Sequence, residues 1–114
     1  MPEKTVFARI IDREIPADIV YEDEDCLAFR DIAPQAPTHV VLIPKEPIPT
    51  LDDFVESDRA LAGSLLLAAG KVAQTLGIDG GYRVVINCGP AAGQEVMHVH
   101  LHILAGRSFG WPPG

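Results

Sequence analysis

The sequence predicts an α+β fold, in which a five-stranded antiparallel sheet carries one long helix and one or two short ones on one side. Three observations lead to this prediction. Residues 57–76 repeat apolar side chains three or four apart, as one face of a helix requires. Short apolar runs elsewhere are bounded by turn-forming residues, as strands are. With 114 residues and no repeat or linker, the chain is expected to form a single domain spanning residues 1–114.

The first half of the chain is predicted to contain a short helix and three strands. Residues 5–11 have helical apolar spacing, and Pro16 ends that pattern. Three strand-like runs follow, at residues 19–22, 26–30 and 39–43. The first two flank an acidic turn and are expected to pair as a hairpin.

The second half contains the long helix, with Ser57 as the expected N-cap and Gly77 as the expected stop. Gly63 and Gly70 lie inside it, where we expect them to allow close approach to the sheet. Two more strands are predicted, at residues 82–86 and 98–104.

The segment 98–104 has a histidine at every second position, with apolar residues between them. Alternate side chains of a strand point to opposite faces, so His98, His100 and His102 are predicted to form one row. Such a row is compatible with three interpretations: a polar strand face, a metal site, and nucleophilic catalysis on phosphorus. The only cysteines, Cys26 and Cys88, are not spaced as a zinc-binding pair.

The residues before this segment help to choose between these interpretations. Residues 87–96 are rich in Gly, Pro and Asn, which by itself is typical of an ordinary loop. Beside a row of imidazoles, however, exposed backbone amides there would hold anionic oxygens. The sequence therefore favours a phosphate site over a metal site, and no metal or other cofactor is expected.

Composition excludes several classes of partner. The formal charge of −7 argues against nucleic acid and against an anionic membrane. No apolar run is long enough to span a bilayer, and Met1-Pro2-Glu3-Lys4 does not open a signal peptide. With two unpaired cysteines, the cytoplasm is the expected location. The tail 105–114 holds the only tryptophan, Trp111, and is either a frayed end or a segment that docks on a second subunit.

At this point the residues show a resemblance to a known family. The segment 98–104 resembles the motif of the histidine triad superfamily, and several other segments are similar to its Hint branch, the histidine triad nucleotide-binding proteins. These segments are Ile15 to Asp23, Ala28 to Ile32, Pro34 to His39, Gly93 to Val96, and Trp111 to Gly114.

The resemblance implies a histidine triad fold whose sheets join across a homodimer. It implies binding of a purine nucleoside monophosphate (AMP or GMP) and hydrolysis of adenosine 5′-phosphoramidates. His100 would attack the phosphorus and carry a nucleotidyl intermediate, His98 and His102 would contact the phosphate or move its protons, and His39 would support them.

The resemblance also assigns the residues around the triad. Those flanking the phosphate and leaving group would be Asn87, Gly93, Gln94 and Glu95. Asp31 would accept hydrogen bonds from the ribose hydroxyls, although an aspartate after a strand equally often caps its loop. The base pocket would be lined by apolar residues that sequence alone cannot distinguish from core: Val6, Phe7, Ile10, Phe29, Ile32 and Val41.

The chain departs from the family pattern at several positions. Some relatives hold zinc with residues whose places are taken here by Thr5, Ala8 and Pro47, so a structural zinc is not expected. Glu95 stands where other members have serine, which would alter leaving-group preference. Two alternatives stay open: a dinucleoside polyphosphate hydrolase or nucleotidyl transferase, and a nucleotide-binding interaction protein whose catalysis is incidental. Transferases of the superfamily replace the third histidine with glutamine, and His102 disfavours that assignment.

Overall fold

The computed structural model describes residues 4–114 and confirms the α+β prediction for that part of the chain. The five strands form one antiparallel sheet in the order β1-β2-β3-β5-β4. The elements are α1 (Val6–Ile11), β1 (Ile19–Glu22), β2 (Cys26–Arg30), β3 (Thr38–Pro44), α2 (Arg59–Thr75), β4 (Tyr82–Val85) and β5 (Leu101–Ala105). Met1, Pro2 and Glu3, on which the signal-peptide expectation rests, lie outside the described residues.

The first four elements follow the sequence closely. Thr5 is the N-cap of α1 and not its first residue, because its hydroxyl oxygen accepts the Ala8 N–H at 3.1 Å. Strands β1 and β2 have the predicted bounds, and β3 is longer by one residue at each end.

Helix α2 begins two residues later than predicted, and Ser57 is not its N-cap. Ser57 lies in a 3₁₀ turn, Glu56–Asp58, in which the Asp58 carboxylate accepts the Val55 N–H at 2.9 Å. The helix ends at Thr75, and Gly77 follows with a positive φ of 65°, as expected for a stop. The expectation for Gly63 and Gly70 was wrong, because a Cβ at either position would meet open space. Neither described helix has the length and hydropathy needed to cross a bilayer.

The two helices cover opposite faces of the sheet, which corrects the prediction that they share one side. One apolar cluster joins α2 to Val40 and Leu42 of β3, and a second joins α1 to Val41 and Ile43 of the same strand. Since neighbouring side chains of a strand point to opposite faces, the clusters lie on opposite sides. The sequence does contain one indication of this arrangement, the continuous apolar run of β3, which is typical of a strand buried on both faces.

Strand β5 begins at Leu101, so the first half of the histidine segment is not part of the sheet. The last paired residues are Leu42 of β3 and Leu101 of β5. Further pairing would reach Pro44, which has no N–H to give to the ladder. The Val99 N–H instead donates to the Ile48 carbonyl at 2.7 Å. His98 and His100 therefore lie in an irregular segment at the end of the sheet.

We predict that the core beneath α1 carries much of the stability. Leu27 is fully buried there, and Leu27→Ala should lower the free energy of unfolding by about 2–5 kcal/mol, because a cavity remains where the side chain was. Leu51, which is 46% exposed, is the matched control, and Leu51→Ala should cost less than about 1 kcal/mol. Urea unfolding at one protein concentration measures both. Equal losses would contradict this view of the core.

A candidate active site around the histidine segment

Four histidines from two strands and one loop meet on the α1 face of the sheet. His102 of β5 pairs with Val41 of β3, and His39 lies two residues before Val41, so both rings stand on the face that α1 covers. The rings of His100 and His102 have centroids 5.0 Å apart, and those of His39 and His102 are 5.1 Å apart. The predicted row of imidazoles is therefore present, although only His102 of the three lies in β5 itself.

His98 is the most deeply buried ring of the row, with 1% of its surface exposed. Its Nε2 lies 2.7 Å from the Pro44 carbonyl oxygen. Because a carbonyl oxygen can only accept, Nε2 must carry the proton. Burial lowers the pKa of His98, so the ring is neutral and Nδ1 keeps a lone pair.

His100 has the opposite tautomer. Its Nδ1 lies 2.7 Å from the His98 carbonyl oxygen and therefore donates, which leaves the lone pair on Nε2. The Phe7 ring of α1 packs edge-on against His100, with centroids 5.0 Å apart. One nitrogen of His100 is thus fixed by the backbone, and the other has no partner among the described residues.

His39 and His102 form a hydrogen-bonded pair whose direction is set by the backbone. The Gln35 N–H donates to Nδ1 of His39 at 3.0 Å, so a neutral His39 carries its proton on Nε2. That nitrogen lies 2.9 Å from Nδ1 of His102 and donates to it. A neutral His102 then has its own proton on Nε2. Burial lowers the pKa of both rings, so the neutral forms apply near neutral pH.

Asp31 caps its loop, one of the two roles considered for it in the sequence, and its role toward the ribose stays a prediction. Its Oδ1 accepts the Ala33 N–H at 2.8 Å, which caps the loop. Its Oδ2 lies 3.4 Å from Nε2 of His39, at the edge of the histidine cluster. The carboxylate charge raises the pKa of His39 and His102, but burial outweighs it in each. The side chain is 21% exposed, so the carboxylate is partly open to solvent.

Within residues 4–114, Asp31, His39 and His102 also have the spacing of metal ligands, with donor atoms within 4.8 Å of one another. The hydrogen bonds argue against that use. A neutral imidazole has one lone pair, and the Gln35 N–H already occupies the one on His39. Nε2 of His39 would bind a cation only if the ring lost its proton or the Gln35 bond broke.

Gln94 is a structural residue of the loop before β5. Its Nε2 donates to the Pro49 and Val96 carbonyls, its Oε1 accepts the Gly89 N–H at 2.8 Å, and the residue is 3% exposed. Both N–H donors of its amide are therefore used by the backbone, and any influence on a phosphate would be through the shape of the loop.

The other residues predicted beside the phosphate are more open. Gly93 adopts a positive φ of 95°, which L side chains rarely do, and a Cβ there would lie 3.8 Å from the Asn87 amide nitrogen. Asn87 and Gly93 are thus neighbours, and Glu95 is exposed.

The predicted base-pocket residues are found in two different environments. Four of them are buried in the cluster beneath α1, namely Phe7, Ile10, Phe29 and Val41. Val6 is 45% exposed, and Ile32, beside Asp31, is fully exposed. A cavity of about 370 Å³ adjoins this cluster and is lined by Ile10, Arg13, Glu14, Ile15, Pro16, Ala17 and Ile19. Ile15 lines this cavity but is not among the base-pocket residues predicted from the sequence. The only sequence feature that could have indicated it is an apolar side chain after the short helix.

We predict that acidification destabilises this site before it affects the carboxylates. The buried His39, His98 and His102 have pKa values below the ordinary 6.5, so the unfolded chain takes up protons first. The free energy of unfolding should therefore fall as the pH drops from about 6.5 toward 5. The lowered pKa values of Glu22 and Asp23 act only below their ordinary 4.5 and 3.8.

Urea unfolding across that pH range measures the effect. His102→Gln removes one of the three rings and should give a shallower slope. Stability that stays constant or rises on acidification in the parent chain would contradict the buried, neutral rings.

Comparison with known proteins identifies the family to which this fold belongs. The family model described as the HIT domain matches residues 12–109. An uncharacterized HIT-like protein of Synechococcus elongatus is 58% identical over 114 residues, the full length of both chains. A protein of Zea mays called a 14 kDa zinc-binding protein is 51% identical over 112 residues, covering 96% of this chain and 88% of its own.

Solved structures show the same similarity. A HIT family hydrolase from Legionella pneumophila matches with a TM-score of 0.93 and 49% identity, covering 97% of this chain and all of that one. A histidine triad protein from Clostridium difficile matches with a TM-score of 0.90 and 38% identity, covering 96% and 97%. The fold, the four clustered histidines and these matches together place the chain in the HIT family.

Proposed function

We propose that this HIT protein is a purine nucleoside phosphoramidase of the Hint branch, which hydrolyses the P–N bond of adenosine 5′-phosphoramidates. The observation that carries the proposal is the tautomer of His100. Its Nδ1–H is held by the His98 carbonyl, so the lone pair is on Nε2, on a ring that is itself buried. In its neutral form, an imidazole held in this way with one unpartnered nitrogen is suited to nucleophilic attack.

The reaction would proceed in two steps. Nε2 of His100 forms a bond to phosphorus, and the amine leaves with the electron pair of the P–N bond and takes up a proton. Water then attacks the phosphorus, loses a proton and displaces His100, so that one water is consumed overall. The Nε2–H of His102 is the donor that the His39 pair leaves free, and it would donate to a phosphate oxygen.

The nucleoside would lie along the α1 face. The partly exposed carboxylate of Asp31 would accept the ribose hydroxyls, because a carboxylate offers acceptors to both hydroxyls of a diol. The apolar cluster with Phe7 and Ile10, and the cavity beside it, would receive the purine. Asn87, Gly93 and Glu95 would flank the phosphate and the leaving group.

A bound metal is the alternative that the name of the maize relative raises. In this chain Thr5, Ala8 and Pro47 supply no ligands of the kind that zinc prefers, and the lone pair of His39 is already used. The expected absence of a metal stays a prediction, which elemental analysis of the purified protein tests directly.

We also propose that two copies associate through β4. This strand is an edge of the sheet, so one side of its backbone lacks a strand partner. Helix α2 packs over β1, β2 and β3, and it leaves Tyr82 and Val84 of β4 43% and 37% exposed. A second β4 would pair the edge and cover these apolar side chains.

We predict that His100→Ala effectively abolishes turnover of tryptamine adenosine phosphoramidate, lowering the rate about a thousandfold or more, while the affinity for AMP changes little. The change removes the nucleophile and leaves the pocket. Gln74→Ala, an exposed change on the opposite face of the sheet, is the control and should retain full activity. Mass spectrometry of quenched reactions should find a nucleotide on His100 of the parent chain. Unchanged turnover in His100→Ala would refute the assignment.

The same assay separates the alternatives. A dinucleoside polyphosphate hydrolase would cleave diadenosine polyphosphates faster than the phosphoramidate. A binding protein would take up AMP and turn over neither substrate.

We predict that Val84→Lys converts a dimer into a monomer, because the edge of β4 would then bury a charge. Analytical ultracentrifugation measures the change in mass. Leu51→Lys adds the same charge at an apolar side chain that is 46% exposed and lies in a 3₁₀ turn outside the sheet, and it should leave the dimer intact. A parent chain that sediments as a monomer would rule out this association.

A further inference from the structure

The segment after β5 packs tightly against the proline-rich loop before β3. Gly106 adopts a positive φ of 94°, and a Cβ at that position would lie 2.7 Å from the Cβ of Pro37. Only glycine allows this backbone to approach the proline ring without displacing it. The start of the tail and the loop 33–37 are therefore held in one fixed relative position.

Arg107, the next residue, makes a specific bond to this loop. Its Nε donates to the Gln35 carbonyl at 3.2 Å, and its Nη1 donates to the Ser108 carbonyl at 3.1 Å. The guanidinium also stacks over the Phe109 ring, 4.2 Å from its centroid. Three contacts thus fix a side chain that is otherwise at the surface.

Gln35 connects this contact to the histidines. Its carbonyl accepts from Arg107, and its own N–H donates to Nδ1 of His39. The side-chain amide of Gln35 donates to the Ala33 carbonyl at 3.1 Å, a second hydrogen bond that holds Gln35 within the loop. A continuous series of hydrogen bonds therefore runs from Arg107 through Gln35 and His39 to His102.

We propose that Arg107 is a positioning residue, which holds Gln35 so that the tautomers of His39 and His102 stay fixed with their protons on Nε2. If Gln35 moved away, Nδ1 of His39 would lose its donor and the ring would be free to carry its proton on either nitrogen. His102 would then lose its fixed orientation toward the substrate. The effect on the tautomers is a property of the free protein and requires no enzymatic activity. The effect on the rate rests on the proposed phosphoramidase activity.

The test compares Arg107→Met, which removes every donor but keeps an unbranched apolar stem, with two other variants. Arg107→Lys retains a charged donor and should rescue part of the effect. Arg83→Met is the matched control, because Arg83 lies over the same Phe109 ring, at 5.1 Å, and binds the tail at the Gly110 carbonyl, but makes no bond to Gln35.

The primary measurement is imidazole ¹⁵N NMR of the free protein at a pH where the rings are neutral. The parent chain and Arg83→Met should show single Nε2–H tautomers for His39 and His102. Arg107→Met should show a mixture at His39, with the amide spectrum of the rest of the chain retained. An unchanged tautomer in Arg107→Met, or the same mixture in Arg83→Met, would overturn the proposal.

The second measurement is steady-state turnover of the phosphoramidate. Arg107→Met should lower kcat roughly tenfold while KM changes less than twofold, as a small misplacement of a catalytic group does. If Arg107→Met showed a tautomer mixture but retained full kcat, Arg107 would serve only to hold the loop, and its positioning role would be contradicted. Absence of turnover in the parent chain would count against the proposed activity, and the NMR result would still decide the role of Arg107.

Discussion

The structure depends on the need to supply hydrogen-bond partners to imidazole rings that are buried. His39, His98 and His100 are each at most 6% exposed, and an unpaired polar group at that depth would cost about 1–3 kcal/mol. Among the described residues, every side-chain nitrogen or oxygen that is itself inaccessible to solvent has a partner, so the unpartnered Nε2 of His100 must retain some exposure. The backbone supplies most of these partners, through the carbonyls of Pro44 and His98 and the amide of Gln35. Because carbonyls only accept and amides only donate, satisfying the rings also fixes their tautomers.

This constraint explains why the histidine segment leaves the sheet where it does. Pro44 cannot extend the ladder with β5, yet its carbonyl is free to accept from His98. The segment turns so that each of its first two rings meets a carbonyl, and the regular strand starts only at Leu101. Where β3 and β5 stop pairing, the backbone thus decides which nitrogen of His100 keeps its lone pair, and this is the nitrogen that we propose as the nucleophile. No additional side chain is needed to orient it.

The two faces of the sheet have different roles. The longer helix α2 covers one face with a wholly apolar cluster, and no histidine takes part in it. On the other face, the six-residue helix α1 contributes Phe7 and Ile10 and leaves room for the four imidazoles. Successive residues of β3 alternate between the two faces. His39 and Val41 lie on the face that α1 covers, while Val40 lies on the face that α2 covers. The pleat of β3 thus places the imidazoles on one face only, while apolar clusters on both faces contribute to the core.

The sequence by itself determined the order of the elements, the bounds of β1 and β2 and the row of histidines, because these follow from the local spacing of residue types. It also indicated the family, through the resemblance of several of its segments to known members. Only the tertiary structure decided which side each helix covers, where β5 begins, and that the Gln94 amide is used by the backbone. It also decided the tautomers, since His39 meets His102 across 63 residues and His98 meets Pro44 across 54. Local periodicity fixes which face a side chain takes, but the partner of a polar atom depends on chain segments that pack together only when the whole domain has folded.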